Sequence, residues 1–368
     1  MRYFVSVFCL ILLVSCSRSK EGSVFLSADL KDYIVDTLYL EKDTLTKNLP
    51  VEFVLLEENG RHNLYGIVGS KLFKYNYQTG ELISSLTFER EGPDGIGSFV
   101  SGNLVTEEGI FFISDQKHII QTDFQGQVLE RYPLPEVSEE RLGSNFTTMN
   151  GNRMLYDNKN KTLIFSDVPF VLKAPNMEYE NWVWKYDLAK REVEPLKFLY
   201  PIVYLEHFDD PELGIYSHAY AITDKIHVLS FPVTDSLLVI ENNSSRWVKS
   251  KSSEKMVFQR GFTEQRGELT VFSPSMETSR YKWVLHDPYR ELWLRYTNIE
   301  TKEGGESKYV NKSSFIIHNK GLEVIGEVFF DNQKISPTGF FTKEGFYLKL
   351  LDPSSEDYEK YVRVRLEL

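Results

Sequence analysis

The sequence predicts an all-β fold: a six-bladed β-propeller of four-stranded antiparallel blades, closed by the chain ends. Three observations carry that expectation. Aromatic residues make up 14% of the 368 residues, as 25 Phe, 21 Tyr and 5 Trp, and flat rings suit pleated, half-buried surfaces. Segments with a helical spacing of apolar residues are almost absent, and the best helical candidate is a short Glu-rich stretch at residues 135–142. Short alternating runs separated by turn residues recur at intervals of about 40–50 residues, the period of a propeller blade.

The elements follow in order. Leu64-Tyr65-Gly66-Ile67-Val68 precedes Lys71-Leu72-Phe73-Lys74-Tyr75-Asn76-Tyr77, in which Leu72 alternates with charged neighbours as a half-buried strand does. Gln78-Thr79-Gly80 makes a turn and residues 81–88 form the return strand. The pattern repeats at 109–115, 118–123, the turn Phe124-Gln125-Gly126 and 127–132. A third unit comprises 161–166, 182–187 and 192–198; a fourth 216–222, 225–230, 236–240 and 246–248. A fifth comprises 281–286, 291–296, 315–317 and 322–329; a sixth 339–341, 345–349 and 361–368. The sixth is one strand short, whereas residues 33–40 and 51–56 have no unit of their own. One of these two strands is expected to join the last sheet and clasp the ring. A single four-stranded sheet cannot cover its own faces; radial packing buries both and leaves only short edges. Two β-sandwich domains, or a seventh blade, are the alternatives.

Composition removes several function classes. Hydrophobic residues at 42% and charged residues at 26% describe a packed globular chain, not a disordered one. A formal net charge of −11 argues against nucleic-acid binding, which needs a basic footprint. The one long apolar run, residues 3–14 after Arg2, is too short to span a bilayer and fits the core of an export signal.

Leu13-Val14-Ser15-Cys16 resembles the bacterial lipobox. The resemblance implies cleavage before Cys16 and acylation of Cys16, whose sulfur takes the diacylglycerol. Several acyl chains make such an anchor stable where one would be marginal. Ser17, with no Asp at that position, resembles the outer-membrane sorting pattern of diderm bacteria. The expected organisation is a signal peptide at 1–15, a tether at 16–22 and a propeller at 23–368, held to the outer membrane through Cys16. The only other cysteine, Cys9, lies in the leader, so the mature chain is expected to have neither a disulfide nor a free thiol.

Residues 72–132, with Arg90-Glu91-Gly92-Pro93-Asp94-Gly95-Ile96-Gly97 in their middle, resemble the lipidated six-bladed β-propeller proteins of bacteria, TolB-like and NHL-like in fold and of unknown function. The resemblance is specific over about residues 60–135 and architectural beyond them. It implies a fold and a location, and no activity.

The search for chemistry finds no Gly-x-Ser-x-Gly elbow, Walker loop, His-Glu-x-x-His or Cys-x-x-Cys. The glycines at 92, 95 and 97 superficially resemble a phosphate loop but lead into no helix, so an inter-blade connection is the simpler reading. His207 precedes Asp209-Asp210-Pro211-Glu212, an acidic loop that lacks the alternating ligands and central Gly of an EF-hand. Trp182, Trp184 and Tyr186 share a strand face that suits either stacking on a sugar or packing between blades. His218, between Tyr216 and Tyr220, has the same two readings. Asp36-Thr37-Leu38, Asp43-Thr44-Leu45 and Asp235-Ser236-Leu237 resemble a short O-glycosylation pattern of exported bacterial proteins. The candidate ligand-binding residues are Arg90, Glu91, Asp94, His207, His218 and Trp182, with no catalytic residue, metal ligand or cofactor assigned. The expected function is a non-catalytic binding or interaction scaffold of the cell envelope, for a protein, peptide or carbohydrate. The alternatives are a metal-dependent hydrolase or lactonase with ligands converging on the axis, and a structural subunit of an envelope assembly.

Overall fold

The computed structural model describes residues 26–210, 212–267, 269–273, 275, 277–302, 309–351 and 355–366. The leader, the tether and Cys16 lie outside these residues. Six antiparallel sheets follow one another along the chain as blades. Blade 1 is Val54–Glu58, Arg61–Val68, Lys71–Asn76 and Leu82–Thr87; blade 2 is Val100–Thr106, Gly109–Ser114, His118–Thr122 and Val128–Pro133. Blade 3 has an interrupted first strand, Ser144–Thr147 and Leu155–Asp157, then Thr162–Pro169, Val183–Asp187 and Glu192–Leu196. Blade 4 is Ser217–Ala221, Ile226–Ser230, Ser236–Glu241 and Ser244–Lys249. Blade 5 is Arg280–Asp287, Leu292–Lys302, Tyr309–His318 and Val324–Asp331, with Leu26–Asp29 added in parallel at its outer edge. Blade 6 is Ile335–Thr342, Gly345–Leu350 and Tyr358–Val364.

The fourth strand of blade 6 comes from the other end of the chain. Ile34–Glu41 pairs antiparallel with Tyr358–Val364, in register from Asp36 with Arg363 to Glu41 with Tyr358 and with one shift between Ile34 and Asp36. The second orphan strand, Val54–Glu58, opens blade 1. The clasp therefore forms as expected. Gly80 shows how tightly it is docked: its φ is +74°, and a Cβ there would lie 1.8 Å from the carbonyl oxygen of Tyr39 in the closing strand. Only glycine meets both demands.

Among the described residues the core divides into six clusters of buried side chains, one in each gap between neighbouring blades. Ile110 and Phe112 meet Tyr65 and Leu72 between blades 1 and 2. Phe111 and Ile113 meet Leu163 and Trp184 between blades 2 and 3. Val183 and Leu196 meet Tyr216 and Leu229 between blades 3 and 4. Val239 meets Trp293 between blades 4 and 5, Phe315 meets Phe346 between 5 and 6, and Phe340 meets Phe53 across the closure. Each buried aromatic or aliphatic side chain contributes about 1.5–3 kcal/mol. Because both faces of every sheet are covered in this way, the ring needs no disulfide.

Three local expectations change. Residues 135–142 form no α-helix; one 3₁₀ turn, Glu139–Arg141, is present and buries none of its residues. Without an apolar stripe to pack, the segment is held instead by Arg141, which reaches into blade 3. Trp182 does not share a face with Trp184 and Tyr186: the strand begins at Val183, and Trp182 turns towards blade 4 while the other two pack against blade 2. The connection from blade 4 to blade 5 contains a further hairpin, Phe262–Arg266 with Leu269–Ser273, that the repeat pattern does not announce.

Asp167 receives Arg141. The carboxylate is fully buried, with Arg141 Nε 2.6 Å from its Oδ2. Burial outweighs the cation and pushes the Asp167 pKa up from 3.8 to about 6. The folded protein then takes up this proton at higher pH than the unfolded chain, so stability rises as pH falls from about 6 towards 4. Asp167→Asn removes this contribution. The stability of the natural protein relative to the variant is expected to grow by up to about 3 kcal/mol between about pH 8 and pH 4, read from urea unfolding at each pH. A pH-independent difference would contradict the assignment.

Candidate functional site

The inner strand of blade 3 breaks at residues 148–154. Ser144–Thr147 pairs with one end of Thr162–Pro169 and Leu155–Asp157 with the other, so the seven residues between them leave the sheet. Asn150 and Gly151 turn the chain with φ of +56° and +76°. The Asn152 side chain then replaces missing sheet bonds: its Nδ2 donates to Tyr216 O at 2.9 Å and its Oδ1 accepts from His218 N at 2.9 Å. Arg153 extends further, with Nη2 2.9 Å from Glu52 Oε1 at the entry to blade 1 and donating to Gly339 O of blade 6 at 2.5 Å. Blade 3 lies opposite blade 6 in a six-blade ring, so Arg153 crosses the axis.

Two other inner strands are irregular where they meet this excursion. The pairing of blade 5 shifts register between Tyr281 and Val284, and that of blade 6 between Ile335 and Gly339. Such irregularities re-aim side chains. Trp283 packs on Gly151, where an added Cβ would lie 2.2 Å from Trp283 Cβ, and its Nε1 donates to Pro337 O at 3.1 Å. Thr338 donates its hydroxyl to Glu52. Residues of blades 1, 3, 5 and 6 thus form a plug tied across the axis.

Against the plug lies a cavity of about 820 Å³, lined by the inner strands of all six blades. Its walls include Phe53, Leu104, Met154, Tyr220, Val284 and Phe340. It extends to the turns at 222–224 and 288–291, where Ile222 and Tyr289 are exposed. Its charged groups are already paired: Glu52 with Arg153, and Asp224 and Glu291 with Lys320, which stands 3.5 Å from Asp224. His218 lines the cavity and is buried, its Nε2 2.9 Å from His227 Nδ1. Tyr220 stacks on His227 with ring centroids 4.2 Å apart. Burial, reinforced by the positive charge of Lys185, pulls His218 down to about 3; burial, then His218 and Lys185, pull His227 to about 2. Both imidazoles are neutral at neutral pH. Among the described residues no group of three or more His, Cys, Asp or Glu side chains is placed to hold a metal ion.

Of the candidates named from sequence, His218 alone lines this cavity. Arg90, Glu91 and Asp94 belong to the connection between blades 1 and 2. There Ile96 N donates to Glu89 O and Gly97 N to Arg90 O at 2.9 and 3.1 Å, Asp94 Oδ1 accepts from Val128 N at 2.9 Å, and Arg131 donates to Pro93 O and Gly95 O at 3.0 and 2.8 Å. His207 is half-buried at the end of the 3₁₀ turn Ile202–Glu206, its backbone N donating to Tyr204 O at 2.9 Å. In the adjoining acidic loop Asp210 is buried and accepts from Glu212 N, Leu213 N and Gly261 N at 2.9, 3.2 and 2.9 Å. Trp182 is fully buried, donates Nε1 to Tyr179 O at 2.9 Å and shows no ring face to solvent. Thr44 is exposed in its tripeptide, whereas Thr37 and Ser236 are half-buried. Glu52, Arg153 and Thr338 escaped the sequence reading because each sits in a break of strand pattern. The Asn150-Gly151 pair, a strong turn signal, is the one local mark of the plug.

Residues 27–328 match the model of a protein family described as a domain of unknown function, DUF4221. The chain belongs to the DUF4221 family. A crystal structure of a DUF4221 member from Bacteroides vulgatus superposes with a TM-score of 0.68 at 18% identity, over 90% of this chain and 97% of that one. An exported-protein candidate from Bacteroides fragilis superposes at 0.55 with 10% identity, over 93% and 99%. At these identities the likeness is one of fold. An 89-residue stretch is 33% identical to the cysteine desulfurase of Salmonella dublin, and this DUF4221 chain spans about a fifth of that enzyme's length: 22% of this chain, 21% of the enzyme.

Proposed function

We propose that this DUF4221 protein is a cell-envelope lipoprotein whose propeller is a non-catalytic binding scaffold, with the axial cavity as its ligand site. The observation that supports the site is the convergence of all six inner strands on one largely apolar cavity backed by the plug. Pockets of this kind, with a few placed polar groups, are where folds bind small molecules. Fold alone carries no activity.

Asn103 lines the cavity from blade 2 and is half-buried. Asn103→Trp fills part of the cavity from a residue outside the plug. Nile red, a neutral dye of pocket size, is expected to bind the purified natural protein saturably with blue-shifted emission. That binding should fall at least ten-fold in Asn103→Trp, with the melting temperature little changed. Equal binding by both proteins, or none by the natural one, rejects the cavity as the ligand site.

The envelope location rests on Leu13-Val14-Ser15-Cys16. Cys16→Ser is expected to move the protein out of the membrane fraction on cell fractionation. Retention of the variant in that fraction means that the anchor is not the Cys16 lipid.

A further inference from the structure

We infer that the anchored propeller rests on the lipid bilayer through an apolar face built by the connections 170–182, 197–216 and 250–279, with the cavity turns 222–224 and 288–291 directed away from it. The inference rests on the envelope-lipoprotein reading above and adds which face meets the membrane.

The first observation is a one-sided distribution of apolar surface. Phe170, Leu199, Ile202, Leu205, Phe262 and Leu269, all in these connections, are 52–79% exposed. The turns at the opposite end of the inner strands expose only Ile222 and Tyr289 among the described large apolar residues. Single exposed apolar side chains are ordinary, whereas a contiguous group marks a contact surface. This group is contiguous. Asp209 N donates to Leu172 O at 2.9 Å, Gly261 N to Asp210 Oδ2 at 2.9 Å, and Arg260 donates to Phe208 O.

The second observation is that the group is held outward. In the 3₁₀ turn Ile202–Glu206, Tyr204 is fully buried between blades 3 and 4, its N donates to Pro201 O at 2.9 Å and its O accepts from His207 N at 2.9 Å. That fixed residue keeps Ile202 and Leu205 from folding under. No described side chain of the hairpin Phe262–Arg266 with Leu269–Ser273 is buried, and a lone two-stranded ribbon is marginal in water.

The third observation is where the tether leaves. Leu26–Asp29 lies on the outer edge of blade 5, with Asp29 opposite Phe329. Lys312 Nζ stands 4.2 Å from the centre of the Phe329 ring and 2.5 Å from Glu254 Oε1, so the described chain begins beside the 250–279 connection. Residues 17–25, fully extended, put Cys16 at most about 35 Å from Leu26, against a radius of gyration of about 20 Å for a domain of this size. An acylated Cys16 therefore holds the face within reach of the bilayer, and tethering makes even weak insertion an intramolecular event at high effective concentration.

Side-chain chemistry selects lipid over protein. Tyr179, Trp182, Tyr200, Tyr204 and Tyr216 of these connections are all buried, so the face lacks the Tyr and Trp anchors that dominate protein interfaces. Its outward side chains are Leu, Ile and Phe, which enter the boundary between headgroups and acyl chains. The rim mixes exposed Lys251, Lys255 and Arg260 with exposed Glu206 and Asp209, so the contact does not depend on an anionic lipid.

With Cys16 acylated and Cys9 lost with the leader, Ile202→Cys supplies a single free thiol. The purified acylated variant is labelled there with an NBD fluorophore and reconstituted on phosphatidylcholine vesicles. Its emission should shift to the blue. A nitroxide lipid labelled near the headgroup end of its acyl chain should quench it about two-fold or more over the same label at Ile222→Cys, because only the first enters the interface. Leu269→Cys should match Ile202→Cys, and keeps the test open if one variant does not fold. Adding Leu205→Glu to Ile202→Cys should remove most of the quenching while the protein stays in the membrane fraction. Equal quenching at 202 and 222, stronger quenching at 222, or quenching that survives Leu205→Glu overturns the inference while the anchor stands. A blue shift without lipid quenching, in a protein that sediments as a dimer, assigns the face to a second copy and also overturns it. Retention of Cys16→Ser in the membrane fraction overturns it through the anchor reading itself.

Discussion

Arg295→Met is expected to lower the unfolding free energy by about 3–5 kcal/mol. Arg295 is completely buried in the second strand of blade 5. Among the described residues it has no carboxylate partner in hydrogen-bond contact. Its Nε donates to Ser230 Oγ at 2.9 Å, Nη1 to Ser250 O at 2.8 Å, and Nη2 to Phe231 O and Thr234 O at 3.1 and 2.8 Å. Its guanidinium carbon lies 4.0 Å from the centre of the Tyr281 ring. Burial pulls its pKa down to about 9, which still leaves it charged at neutral pH. One planar fork thus satisfies the chain where blade 4 turns and leaves for blade 5. Methionine fills much of the space but takes the guanidinium donors from the carbonyls of Ser250 and Thr234 and leaves Phe231 O only a long bond from Thr234 N at 3.5 Å, and each buried group left unpaired costs about 1–3 kcal/mol. Lysine is no remedy, because a compact ammonium cannot reproduce the fork. Urea unfolding measures the loss; a change below about 1 kcal/mol would show that water or local movement replaces the guanidinium.

Gly151→Ala is the second large effect, expected at about 2–5 kcal/mol. At φ +76° an alanine costs about 1–2 kcal/mol from its own backbone. The added Cβ would also come within 2.2 Å of Trp283 Cβ and 2.7 Å of its Cγ, and overpacking of that kind costs about 1–3 kcal/mol more. Trp283 must move, and with it the bond to Pro337 O that ties blade 5 to blade 6. The variant should therefore lose stability to urea and also show a changed tryptophan emission at low denaturant. A stability loss with unchanged emission would place the strain elsewhere than at the plug.

The blades were legible because their causes are local. A strand announces itself by alternation over five or six residues, and a turn by a residue that tolerates positive φ, as at Gly80 and Gly126. Even the clasp could be anticipated, since the last unit lacked one strand and the first residues had one to spare. What failed were readings in which the neighbour matters more than the chain. Trp182 continued an alternating stripe in sequence, yet the strand starts one residue later and the ring turns to the other gap. Residues 135–142 had helix-forming composition but no apolar face, so the pull of Asp167 on Arg141 decided their path. His218 was marked by its aromatic neighbours, not by the cavity it lines.

By itself the sequence pointed to the all-β fold class, to six blades ahead of seven and to a closing strand from one of two segments near the N-terminus, because these follow from periodicity and from how much apolar surface one small sheet must hide. Only the tertiary structure decided the site. Arg153 meets Gly339 across 186 positions of chain, and Glu52 meets Thr338 across 286. No window of sequence contains such a pair, since the axis exists only once the ring has closed.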